Sequence, residues 1–194
     1  MNKIFYIVGK SSSGKDTIYN HLIKDLPELK PLVTHTTRPM RPGEIDGITY
    51  HFVTENGYQE LKDKGEILEE RVYHTVKGDW IYFTSKSSIE NSNNYLGIGS
   101  LESYNSLKAY YRDSLIPIYI EVDDKNRLIR SIERESRQDK PDYKEICRRF
   151  LADTEDFSEE KLKASGIEKR YDNNSFLSNI CKEIKTMILN ILDE

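Results

Sequence analysis

Gly9-Lys10-Ser11-Ser12-Ser13-Gly14-Lys15-Asp16-Thr17 stands between an apolar run, Ile4 to Val8, and a segment from Lys15 to Asp25 whose Ile18, Leu22 and Ile23 recur at helical spacing. It fits G-x-x-x-x-G-K in the order strand, loop, helix that a phosphate-binding loop requires. Gly9 and Gly14 let the backbone turn tightly, so that successive N–H groups, including those of Ser11, Ser12 and Ser13, converge on phosphate oxygens. The helix starting near Lys15 turns its positive dipole end to the same place. The Lys15 ammonium reaches the β and γ phosphates. The residue after the lysine is commonly Ser or Thr, whose hydroxyl meets Mg²⁺. Here it is Asp16, with Thr17 next. Asp16 either binds Mg²⁺, directly or through water, or complements the helix dipole as a first-turn carboxylate.

Outward from the loop, the pattern alternates. Lys3 to Val8 reads as a buried strand and Lys15 to Asp25 as a helix, broken by Pro27 and Pro31. Leu32 to His35 and Ile48 to Val53 read as short strands, and Thr54 as the cap of a helix from Glu55 to Lys64. Ile67 to Tyr73 and Trp80 to Phe83 read as strands around a turn at Gly78-Asp79. A helix is expected from Ser85 to Glu90, a buried strand from Tyr95 to Ile98, and a helix from Leu101 to Tyr111. Leu115 to Val122 is the clearest core strand, with an irregular entry expected at Pro117. Lys125 to Arg137 and Tyr143 to Phe157 read as charged helices, and Ile167 to Tyr171 as a last strand. The closing helix, Ser175 to Leu192, sets Phe176, Ile180, Ile184, Met187, Ile188 and Ile191 on one face. Strands alternating with helices imply a parallel sheet covered on both sides. Residues 34–84, rich in strands and turns, read as an inserted β-region.

The 194 residues suit one domain. Lys and Arg number 29 against 33 Asp and Glu, a net charge of −4, so no global field draws nucleic acid or an anionic membrane. The apolar start is too short for a signal-peptide core, no stretch approaches the roughly 20 residues of a membrane span, and the cytoplasm is the expected compartment. Cys147 and Cys181 have no metal spacing and read as buried free thiols. His21, His35, His51 and His74 show none either.

A second constellation follows at Thr36-Thr37-Arg38-Pro39-Met40-Arg41-Pro42-Gly43-Glu44 and Asp46-Gly47-Ile48-Thr49-Tyr50-His51-Phe52. Arg38 and Arg41, held beside prolines, form a local positive pair, and arginine grips phosphate by two-pronged hydrogen bonds. Tyr50 adds a neutral donor. The plainer reading is a solvated loop with surface arginines. The spacing of Thr36, Thr37, Arg38, Arg41, Glu44, Gly47, Tyr50 and Phe52 resembles the signature of the guanylate kinase family. The resemblance is sharp from residue 4 to about 85.

It implies an α/β, three-layer P-loop kinase fold, a parallel sheet flanked by helices, with a small β-insertion and a helical lid. The core would be 1–33, 85–130 and 150–194, the acceptor-binding insertion 34–84, and the lid 131–149. It implies phosphoryl transfer from ATP, with Mg²⁺ held through the phosphates and by Asp16 or Thr17, to GMP or dGMP, in a monomer or homodimer. Arg38, Arg41, Tyr50 and Tyr82 would hold the acceptor phosphate. Thr34, Glu69 and Thr84 would read guanine, whose adjacent N1–H and N2–H₂ donors suit one carboxylate. The neighbouring Glu70 competes with Glu69, since one of two adjacent acids on a strand faces away. Trp80 reads as core packing. Arg137 and one of Arg148 or Arg149 would be catalytic beside Lys15, with Arg134 competing for the first role; the alternative is solvated helices laced by ion pairs. Asn173 would border adenine, or simply belong to the turn before the last helix. The family's usual strand Leu-Asp-Ile-Asp reads Leu96-Gly97-Ile98-Gly99 here. That loss leaves open a kinase for another phosphorylated small molecule, or a catalytically weak binding module, although Lys15 and the two loop glycines argue against the latter.

Overall fold

The computed structural model describes residues 2–75, 78–175 and 177–193. Phe176 of the expected closing helix lies outside them. The strands are Ile4–Val8 (β1), Leu29–Pro31 (β2), His35–Thr36 (β3), His51–Phe52 (β4), Ile67–Thr75 (β5), Gly78–Ser85 (β6), Asn94–Gly99 (β7), Leu115–Glu121 (β8) and Arg170–Asp172 (β9). The helices are Lys15–Asp25 (α1), Glu55–Asp63 (α2), Leu101–Tyr111 (α3), Asp124–Glu135 (α4), Tyr143–Asp156 (α5), Glu159–Ala164 (α6) and Leu177–Leu192 (α7).

A parallel sheet in the order β2-β7-β1-β8-β9 forms the centre. Every residue of β1 is buried, and its alternation serves two layers. Phe5 and Ile7 pack with Ile18 and Leu22 of α1 and Ile180, Ile184 and Ile188 of α7. Ile4, Tyr6 and Val8 pack with Tyr104 and Leu107 of α3 and Leu162 of α6. This is the expected three-layer α/β arrangement. A second sheet, β4-β3-β6-β5, comes from the strand-rich stretch after β2. It is antiparallel except for the β3–β4 pair. The Thr54 hydroxyl caps α2 by accepting from Gly57 N at 3.1 Å, as read from the sequence.

Several boundaries differ from the sequence reading. The strand expected at Leu32 to His35 is replaced by β2 before it and β3 at its end, where the chain crosses between sheets. Leu32 still donates its N–H to Leu96 O. The strand expected over Ile48 to Val53 shrinks to β4, because the side chains of Thr49 and Asp46 take the N–H groups of Ile45 and Phe52 and hold a turn instead. The helix expected from Ser85 is only a single tight turn, Lys86–Ser88, whose start is fixed by Ser85 Oγ accepting from Ser87 N. Pro117 lies inside regular strand: it pairs in register with Tyr6, and β9 joins β8 only from Tyr119 onward, so its missing N–H falls where β8 is an edge. Cys147 is exposed rather than buried, and Cys181 is half-buried.

His35 stacks on Phe83 at 4.9 Å and lies 4.6 Å from the His51 ring, with its Nδ1 buried and unpartnered among the described residues. Burial, with the charge of His51 adding to it, lowers its pKa from 6.5 to about 4. A histidine depressed in the folded state binds its proton better when unfolded. Its contribution is therefore intact above 6.5 and is lost as pH falls toward 4. Moving from pH 7 to pH 5 should lower the unfolding free energy by about 2 kcal/mol through this group. Urea titrations of wild type and His35→Phe at the two values should show the variant losing that much less.

Candidate functional site

The phosphate loop emerges from the buried β1 and enters α1 through Gly14, whose φ of +86° favours glycine. Gly9 has no room for a side chain: a Cβ there would lie 2.7 Å from Ile120 O and 2.9 Å from Ser13 Oγ. Three contacts outside the motif brace the loop. Asp153 of α5 accepts from Ser11 N at 2.8 Å. Ser12 Oγ meets Ser131 Oγ of α4 at 2.7 Å. Asn173 donates from Nδ2 to Ser13 O at 2.8 Å. The amide nitrogen of Asn173 thus braces the loop. Arg127, 1% exposed, ties the braces together through Ser11 O, Asp153 and Asp124. Its position in an arginine-dense stretch hid this role. Only its burial distinguishes it from its neighbours.

Lys15 has no hydrogen bond or ion pair among the described residues. Desolvation pushes its pKa down, Asp16 and Asp153 oppose the shift, and Arg134 and Arg127 add to it. Asp16 and Thr17 are exposed on the first turn of α1. No cluster of three or more His, Cys, Asp or Glu side chains suited to a metal occurs among the described residues. Asp16 and Thr17, one and two residues after the loop lysine, offer oxygen, the donor type that Mg²⁺ takes.

On the second sheet, Arg38 is buried. It donates from Nε to Tyr82 Oη at 2.9 Å, from Nη1 to Pro39 O at 2.8 Å, and from Nη2 to Glu44 Oε1 at 2.6 Å. Glu44 Oε2 in turn accepts from Arg41 N at 2.7 Å, so one carboxylate organises both arginines. The Tyr50 ring meets the Tyr82 ring edge-on at 5.5 Å. Arg41 is exposed over the Trp80 ring, 5.9 Å away, so Trp80 faces an arginine rather than the core. Glu69 and Glu70 part as strand alternation requires. Glu70 turns to Lys62 and Tyr58, whereas Glu69, 5% exposed, accepts from Thr84 Oγ1 at 2.7 Å. Thr34 precedes β3 half-buried, its carbonyl accepting from His51 N.

A family model, guanylate kinase, matches residues 1–190. The chain belongs to the guanylate kinase family. It is 42% identical over 93 residues to the guanylate kinase of Vibrio cholerae, a match covering 47% of this chain and 43% of that protein. With the guanylate kinase of Coxiella burnetii it shares 41% identity over 88 residues, 42% of each. The chain thus matches less than half the length of these relatives. The guanylate kinase structure from Anaplasma phagocytophilum superposes with a TM-score of 0.67 at 18% identity, covering 97% of this chain and 85% of that one, which supports the fold.

The arginines expected in the lid differ in their surroundings. Arg148 and Arg149 both bind Glu145 at 2.7 Å and are exposed, the helical ion pairs of the plainer reading. Arg137 is exposed in the turn after α4. Arg134, exposed on α4, is within electrostatic reach of Lys15, as is Arg127. The glycines that stand on β7 pack against Tyr6. A Cβ at Gly97 would lie 2.5 Å from Tyr6 Cδ2, and one at Gly99 would lie 2.2 Å from Tyr6 Oη. The Tyr6 ring fills the space those side chains would need.

Asp153→Ala should remove the shared partner of Arg127 and Ser11. We expect a loss of about 3 kcal/mol in urea denaturation, since a buried guanidinium and a loop N–H lose an acceptor.

Proposed function

We propose that the protein transfers the γ-phosphoryl group of ATP to GMP or dGMP. The observation that carries this is the pairing of a braced phosphate loop with an acceptor wall on which Arg38, Tyr82 and Glu44 form one cluster and Glu69 and Thr84 another. An acceptor phosphate oxygen attacks the γ phosphorus in line, and the bond to the β–γ bridging oxygen breaks, releasing ADP. No general base is needed, because that oxygen is already anionic, so alignment and charge stabilisation dominate. The loop amides and Lys15 hold the donor. Arg38, Arg41, Tyr50 and Tyr82 hold the acceptor phosphate, while Glu69, Thr84 and Thr34 read the base. Arg137, or Arg134 in its place, closes over the transferring group together with one of Arg148 or Arg149, released from Glu145. Asp16 or Thr17, with the phosphates, would hold Mg²⁺, which would supply charge neutralisation on the donor. In this reading 34–84 is the acceptor insertion, 131–149 the lid, and the rest the core. Among the described residues no helix is long and apolar enough to cross a membrane, in keeping with a cytoplasmic enzyme. ADP release measured over GMP, dGMP, AMP, UMP and phosphorylated sugars tests the reading. Turnover confined to the guanine nucleotides is expected, and a preference for any other acceptor would refute it.

A further inference from the structure

Arg71 belongs to none of the roles above, yet it stands in the middle of the acceptor wall. Residues two apart on a strand share a face, so β5 turns Glu69 and Arg71 the same way. Arg71 pairs across the sheet with Tyr82, and Glu69 with Thr84. It therefore lies between the cluster assigned to the acceptor phosphate and the pair assigned to the base. Its side chain is 12% exposed, enough to meet a ligand, and it is within electrostatic reach of Tyr6, Tyr50 and Tyr73.

Its bonds are unequal. Nε donates to Glu69 Oε2 at 3.1 Å, Nη2 donates to Oε1 at a long 3.4 Å, and Nη1 has no hydrogen-bond partner among the described residues. The Glu69 carboxylate has about four lone-pair sites. Three are taken, by Thr84 and by the two arginine bonds. A guanine presenting N1–H and N2–H₂ needs two, so the 3.4 Å bond is the one that yields. The freed nitrogen then lies beside the next atom on the base edge, the acceptor O6. With glycines at 97 and 99, packed against the Tyr6 ring, Glu69 is the carboxylate with which Arg71 forms an ion pair.

We propose that Arg71 is a specificity residue which keeps its Nε bond to Glu69 and turns a terminal nitrogen to O6 of the acceptor guanine. This rests on the GMP reading above. The Glu69–Arg71 pair offers an acceptor and a donor side by side, the complement of guanine's N1–H and O6. Adenine presents the reverse order, an acceptor at N1 and a donor at N6, and meets like against like at both atoms.

The test compares GMP, 6-thio-GMP and IMP at pH 6.5, where N1 of each keeps its proton, on wild type and Arg71→Gln. Sulfur at position 6 is a weak acceptor, whereas IMP keeps O6 and N1–H and lacks only the 2-amino group. Wild type should prefer GMP over 6-thio-GMP by about tenfold in kcat/KM. Arg71→Gln should bring that ratio within about twofold while keeping the wild-type penalty for IMP, which reports on Glu69. Each ratio is taken on one preparation, so any unfolded fraction cancels, and the wild-type ratio needs no variant. Equal use of GMP and 6-thio-GMP by wild type, or a penalty unchanged in Arg71→Gln, overturns the proposal. No turnover of GMP by wild type refutes the GMP reading itself, and this inference falls with it.

Discussion

Lys15→Ala is expected to lower turnover by about a thousandfold, the scale for removing a preorganised charge from a developing anion, while thermal stability stays the same or rises. The two effects point in opposite directions for one physical reason. The ammonium is largely desolvated and has no ion-pair partner among the described residues, so it destabilises the chain until an anion arrives. Alanine relieves that cost and removes the grip on the donor phosphates together. Initial rates at saturating ATP and GMP, with a melting curve of the same preparation, check both halves. A variant that melts much lower would mean that Lys15 serves the fold instead.

Arg38→Ala is expected to lower kcat/KM for the acceptor by about a hundredfold or more, with the KM for ATP moving by less than about threefold. Three of its five N–H donors are spent inside the wall, on Tyr82, Pro39 and Glu44, which leaves one on each terminal nitrogen for a phosphate. The same bonds make it a structural residue. Its loss leaves Glu44 short of a partner and should cost about 3 kcal/mol of stability. Arg38→Lys separates the roles. It keeps the charge but cannot span Tyr82, Glu44 and a phosphate at once, so acceptor binding should still fall by about tenfold or more with a smaller loss of stability. Equal acceptor kinetics in wild type and Arg38→Lys would place the phosphate elsewhere.

These residues also show what was legible beforehand. The loop, its strand and its helix were, because Gly9, Gly14 and Lys15 act through local backbone geometry. The Arg38 cluster was, because prolines and short spacing hold it. The bracing of the loop was not. Asp153 and Ser11 are 142 residues apart and meet at 2.8 Å, and Arg127 looks like any other charged helix residue until its burial is seen. Lid assignments stayed open for the same reason: Arg134, Arg137, Arg148 and Arg149 have similar sequence surroundings, and only the packing of α4 and α5 separates their charges.

Glycines at 97 and 99 read, along the chain, as a loss of acids with no cause. By itself the sequence determined the alternating α/β order, the phosphate loop and the paired arginines, since each depends on residues close together in the chain. Tertiary structure alone decided that Glu69 and not Glu70 faces Thr84, that Tyr6 claims the space above Gly97 and Gly99, and that Arg71 sits between Glu69 and Tyr82. These are matters of which face of a strand meets which neighbour, and one residue of register or one aromatic ring reverses them.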